Sequence, residues 1–118
     1  MVTRFESGPG GVRHTVDRLD LTDFEALLLE QRRFRRRQLR ELDNDLADQA
    51  PPLAEVTSAL RAAAEQALTE VEAALDRIAA GTFGDCTRCG EPILAERLEI
   101  VPMAALCMTC QRVSEVQV

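Results

Sequence analysis

The chain has no tryptophan and no tyrosine, and only four phenylalanines among 118 residues. A thick core built on large aromatic side chains is excluded. The composition is rich in alanine, leucine and charge, as in long helices with narrow seams. Lysine is absent, so every basic residue other than the single histidine is an arginine. His14 stands alone beside Gly10 and Gly11 and receives no role. No run of eighteen apolar residues occurs, so no segment reads as a membrane-spanning helix. The first eleven residues lack an apolar h-region, which sets aside a secretory signal and makes the cytoplasm the expected location. That compartment is reducing and favours metal-bound thiolates over disulfides. The net charge of -6 excludes bulk attraction to nucleic acid, so a DNA contact would have to rest on a local patch. No nucleophile–base pair, phosphate-binding loop or acid/base dyad emerges, and nothing argues for an enzyme.

Against these absences the cysteines stand out. All four lie in the last third of the chain as two Cys-x-x-Cys knuckles, Cys86 with Cys89 and Cys107 with Cys110. The pattern is that of a four-thiolate zinc site. A redox dithiol needs one such pair on a βαβ scaffold, which is not present. One tetrahedral Zn2+ held by four thiolates has no open coordination position, so it folds a module and performs no chemistry. Gly90 directly follows Cys89, where a knuckle turn favours positive φ. The stretch from Glu91 to Pro102 reads as a small hairpin or ribbon, and Leu94, Leu98, Ile100 and Met103 can supply a miniature core.

Upstream, residues 1–20 read as a flexible leader. A first helix is expected from Leu21, with Thr22 as N-cap and Glu25 at the capping-box position. Phe24, Leu28, Leu39, Leu42 and Leu46 follow a three-four spacing, interrupted by Arg32 and Arg35. Asp43-Asn44-Asp45 are poor interior helix formers, and fraying is expected there. Pro51-Pro52 stops this helix and suits the first turn of the next. A second helix runs from about Leu53 to Ala80. Its stripe is Leu60, Ala64, Ala67, Val71, Leu75 and Ile78, the period of a coiled-coil seam, and Gly81 is its αL cap. The expected fold is mainly α. An antiparallel two-helix coiled-coil hairpin (residues 21–80, acidic tip at 45–50) precedes a zinc-finger module with a short C-terminal helix (81–118).

Two charged features accompany this scaffold. Asp45 and Asp48 lie at the turn, where acidic residues are common and composition alone favours an incidental origin. Arginines 32, 33, 35, 36, 37 and 40 crowd the first helix. Arg32, Arg33, Arg36, Arg37 and Arg40 are read as a basic face open to a partner, with nucleic acid or pairing to Glu65, Glu70 and Glu72 as alternatives.

The order of these pieces closely resembles the DksA/TraR family of bacterial transcription factors. The likeness is most specific from Ala79 to Gln111, where the residues between the cysteines agree as well: Gly-Thr-Phe-Gly-Asp-Cys86-Thr-Arg-Cys89-Gly-Glu-Pro-Ile, Ala95-Glu96-Arg97-Leu98, and Pro102-Met-Ala-Ala-Leu-Cys107-Met-Thr-Cys110. The family's tip motif, Asp-x-x-Asp-x-Ala, is matched by Asp45-Leu-Ala-Asp48-Gln-Ala50, which turns the preference for that turn from incidental to functional. The resemblance implies direct binding to the large subunits of RNA polymerase, not to promoter DNA, with the coiled coil in the secondary channel. Asp45 and Asp48 would be acidic contacts near the catalytic centre and Ala50 a close-packed tip contact. A ppGpp-cofactor role, known for members that use Lys and Arg near the coil and C-terminus, is weakened by the lack of lysine and by Arg61 being the only basic residue in the first half of the second helix. A zinc-finger DNA-binding protein and a zinc-clamped protein–protein adaptor are the alternatives.

Overall fold

The computed structural model describes residues 18–116. In chain order it contains α1 (Arg18–Asp48), α2 (Leu53–Ala80), α3 (Ala95–Ile100) and α4 (Met108–Val116). The first two pack along each other as an antiparallel hairpin. Among the described residues there is no strand, only an isolated antiparallel bridge between Asp85 and Pro92. No helix among them is long and apolar enough to cross a membrane.

The limits of α2 follow from its flanking residues. Pro51 and Pro52, joined by a cis peptide, form the turn, and the Ala54 and Glu55 amides donate to the carbonyls of Ala50 and Pro52. At the other end Gly81 takes φ 81°. The Gly81 amide donates to Ile78 O, and the Thr82 amide to Arg77 O at 2.9 Å. The left-handed residue thus lets the chain turn back onto the last carbonyls of the helix.

The first helix departs from expectation at both ends. It starts at Arg18, so Thr22 lies inside it and is not the N-cap; the expected leader, up to residue 17, lies outside the described residues. It also does not fray at Asp43-Asn44-Asp45 but continues to Asp48. Two contacts offset the poor propensity there. Leu42 and Leu46 remain half-buried against α2, and Arg61 Nε donates to Asp43 Oδ1 at 2.6 Å.

The seam of α2 also differs from its expected stripe near the tip. Leu60 is 54% exposed, while Thr57 is buried and Arg61 half-buried. A helix pair drifts relative to a strict seam, and here the drift admits the stem of Arg61, whose head reaches Asp43. Toward the base the seam becomes apolar. Phe24, Leu28, Val71 and Ala74 join Phe83, Ile93, Leu98 and Ala104 in one core cluster. The Phe24 and Phe83 rings meet with centroids 5.4 Å apart. The molecule therefore has one well-packed end, where hairpin and cysteine module share a core, and one thin end.

The stretch between the knuckles is not a hairpin. It folds as α3, which buries Leu98 completely and leaves Leu94 and Ile100 exposed. Leu98 fills the core from a single helical turn, so only one of the proposed core leucines points inward. The last helix starts at Met108, inside the second knuckle.

Candidate metal centre and hairpin tip

Each knuckle is built by backbone hydrogen bonds that curl the chain around its sulfurs. The Gly90 amide donates to Cys86 O at 2.9 Å, the Cys86 amide to Glu91 O at 2.8 Å, and the Ile93 amide to Gly84 O at 2.7 Å. Gly84 and Gly90 supply the positive φ values, 93° and 81°, that this path requires. The second knuckle is the first turn of α4. There the Gln111 amide donates to Cys107 O, and the Cys110 amide points at Cys107 Sγ. The Thr87 amide and hydroxyl both reach Ala105 O, tying the two knuckles together. Arg77 reaches the carbonyls of Met103 and Ala104 from α2, and Arg97 Nε donates to Leu106 O. These two arginines hold the loop that leads into the second knuckle.

The result is a cluster of four sulfurs lying within 4.8 Å of one another. Cys89 Sγ and Cys107 Sγ are 3.8 Å apart. That separation is too long for a disulfide and matches the roughly 3.8 Å edge of a tetrahedron with ~2.3 Å zinc–sulfur bonds. Cys86 and Cys110 are buried, and Cys89 and Cys107 are accessible. Without a cation the four thiols cannot share their charge evenly. Burial raises the Cys86 thiol, but backbone amides outweigh it and bring the group down to about 6. Burial, then the neighbouring sulfurs, push Cys110 up to about 12. Cys89 is also raised: burial and the Cys86 and Cys107 sulfurs overcome the lowering by the Glu91 backbone. Opposite shifts at the adjacent Cys86, Cys89 and Cys110 thiols describe a site that needs a divalent ion to become fully anionic. The residues fit structural Zn2+, with Cys86, Cys89, Cys107 and Cys110 as its ligands.

At the opposite end, Asp45, Asp48 and Ala50 are all exposed. Asp48 is the last residue of α1, Asp45 lies in its last turn, and that turn contains no basic side chain. Carboxylates at a helix C-terminus face the negative end of the helix dipole, which costs about 0.3–1 kcal/mol each. The arginine run does not form one surface. Arg32 turns toward the seam, with its Nε buried, and Arg36 pairs with Glu72 at 2.9 Å. Arg33, Arg37 and Arg40 remain exposed, and the Arg37 guanidinium lies 5.9 Å from the Phe34 ring centroid. The Arg61–Asp43 pair near this end was missed by sequence reasoning. Periodicity in α2 gave no signal for it, since the expected stripe ran through Leu60 and not Arg61.

This geometry defines a class: a two-helix rod whose base is folded around a structural four-thiolate zinc finger. Residues 81–116 match the family model described as the prokaryotic dksA/traR C4-type zinc finger. The chain is 38% identical over 50 residues to the RNA polymerase-binding transcription factor DksA of Haemophilus influenzae, covering 42% of this chain and 34% of that protein. It is 44% identical over 43 residues to an uncharacterized protein of Aquifex aeolicus, covering 36% and 30% respectively. The chain thus spans about a third of the length of the curated relatives it matches. The solved structure of transcription factor DksA2 from Pseudomonas aeruginosa superposes with a TM-score of 0.75 at 26% identity, covering 86% of this chain and 88% of that one. Residues 81–116 thus match the DksA/TraR zinc finger, and most of the chain shares the fold of DksA2.

Proposed function

We propose that this chain is a transcription regulator that binds RNA polymerase directly and inserts its hairpin tip into the secondary channel, retuning initiation without catalysing a reaction. The observation that carries the reading is the placement of Asp45 and Asp48. They are exposed at the thin end of the rod, in a position unfavourable for the helix that bears them. Local rules are broken most readily where function requires it. At ~1.5 Å per residue, the 28 residues of α2 make a probe about 42 Å long, enough to carry a negative point well ahead of its base. The zinc module acts as the docking base, and the exposed arginines Arg33, Arg37 and Arg40 face acidic walls of the channel. Sequence-specific DNA binding is not part of this reading, since Arg77 and Arg97 of the base are engaged with backbone carbonyls, and no ppGpp site is assigned.

The test is the double substitution Asp45→Asn and Asp48→Asn in run-off transcription with purified polymerase. The expected result is loss of the transcriptional effect with binding to core polymerase largely retained. If the doubly substituted protein regulates as well as wild type, the tip assignment fails.

A further inference from the structure

The two flanks of the hairpin are chemically unequal. A helix turns by about 100° per residue, so a side chain one position after a seam residue points to one flank, and one position before it to the other. In an antiparallel pair the same displacement on either helix leads to the same flank. The seam of α1 passes through Leu28, Arg35 and Leu42; that of α2 through Thr57, Arg61, Ala64 and Val71, all buried or half-buried. Arg36, Asp43, Glu65 and Glu72 each follow a seam residue, and they are the groups joined by ion pairs: Arg36 to Glu72, and Asp43 and Glu65 to Arg61. One flank is thus ionic and already partnered.

The other flank of α2 carries Leu53, Val56 and Leu60, then Ala63 and Ala67, each one position before a buried or half-buried residue. No charged residue interrupts this stripe. Leu53, Val56 and Leu60 are 57%, 58% and 54% exposed. Asp45, one position before the half-buried Leu46, opens on the same flank.

We propose that this stripe is a docking surface for RNA polymerase, receiving an aliphatic segment of the polymerase that carries a basic group opposite Asp45. The inference rests on the function proposed above and adds which side of the hairpin makes contact. Two observations favour this occupant over a second copy of the chain. The three side chains expose on the order of 300 Å2, well short of the ~800 Å2 per partner of a stable interface. The large exposed side chains of the stripe also begin at the tip and span only about 10 Å along α2, from Leu53 to Leu60, so an inserted tip encloses them, and the carboxylate beside them selects a cationic neighbour.

The test uses the full zinc-loaded chain with a photo-cross-linking amino acid placed in turn at Ala50, Val56 and Ser58, mixed with core polymerase. Ser58 follows Thr57 and lies on the ionic flank. Cross-links to the large subunits from Ala50 and Val56, with Ser58 silent, are expected. The Leu53→Ser, Leu60→Ser variant should bind polymerase about tenfold more weakly with an unchanged melting temperature. Polymerase cross-links from Ala50 and Ser58 but not Val56 overturn the sidedness while leaving the proposed function standing. Absence of polymerase cross-links from Ala50 overturns both. Cross-links from Val56 to a second copy, or to residues 1–17 of the same chain, assign the stripe to another occupant and overturn the proposal.

Discussion

The placement of the seam makes a sharp prediction from two leucines that sequence periodicity treats alike. Leu28 on α1 is fully buried in the core shared by the helices and the zinc module, whereas Leu60 on α2 is 54% exposed. Leu28→Ala removes about three buried carbons, roughly 2.4 kcal/mol of transfer free energy at ~0.8 kcal/mol per methylene. Incomplete collapse of the cavity brings the expected loss to about 3 kcal/mol or more. For a domain of this size each kcal/mol shifts the midpoint by about 4–8 °C, so the melting temperature should fall by about 12 °C or more. Leu60→Ala trades one good helix former for another on the surface and should stay within about 0.5 kcal/mol of wild type. The assay is thermal and urea unfolding followed by circular dichroism at 222 nm, with zinc present and thiols reduced. A Leu60→Ala loss equal to that of Leu28→Ala, or a Leu28→Ala loss under about 1 kcal/mol, would refute the seam assignment.

Other predictions concern the zinc module. Complete, verified removal of zinc should lower the melting temperature and raise amide exchange across residues 81–110 and the adjoining base of the hairpin, because binding of structural zinc is folding free energy; unchanged melting would break that coupling. Cys110 and Cys89, both raised, hold protons at neutral pH in the metal-free chain and lose them to the ion. Zinc affinity, measured by competition with a chromophoric chelator, should therefore rise with pH from 6 to 8, and a flat profile would count against a four-thiolate site. A Cβ at Gly90 meets nothing within 4 Å, so Gly90→Ala should cost only the backbone penalty of its positive φ, about 1–2 kcal/mol. Gly90→Asn should cost less, as read from denaturant midpoints.

How much of this was legible in the sequence depended on whether the signal was local. Pro51-Pro52 and Gly81 fixed both ends of α2, because a missing amide and a left-handed residue act on their own neighbours. The cysteine spacing marked the metal site for the same reason. The errors fell where a tertiary partner decided the outcome. Asp43 stays helical because Arg61, eighteen residues away, holds it. The segment after Gly90 becomes α3 because one turn of helix puts Leu98 into a core that exists only once Phe24 and Phe83 have met. Leu60 lost its place in the seam to the stem of Arg61, which no period in α2 alone reveals. A role for the tip carboxylates is implied by resemblance alone; their unfavourable position at the end of α1 is a structural observation that composition could not supply.

The shared core at the base also has a mechanical consequence. Gly81 ends α2, and within two residues Phe83 is locked against Phe24, so the zinc module and the rod are joined without a free hinge. A lever about 42 Å long multiplies any tilt at that joint. A rotation of about 5° at the base would displace Asp45 and Asp48 by nearly 4 Å, more than the reach of a hydrogen bond. Packing around Leu28, Phe83 and Leu98 therefore governs aim as well as stability. A core substitution too mild to unfold the protein would be felt first as misdirection at the opposite end.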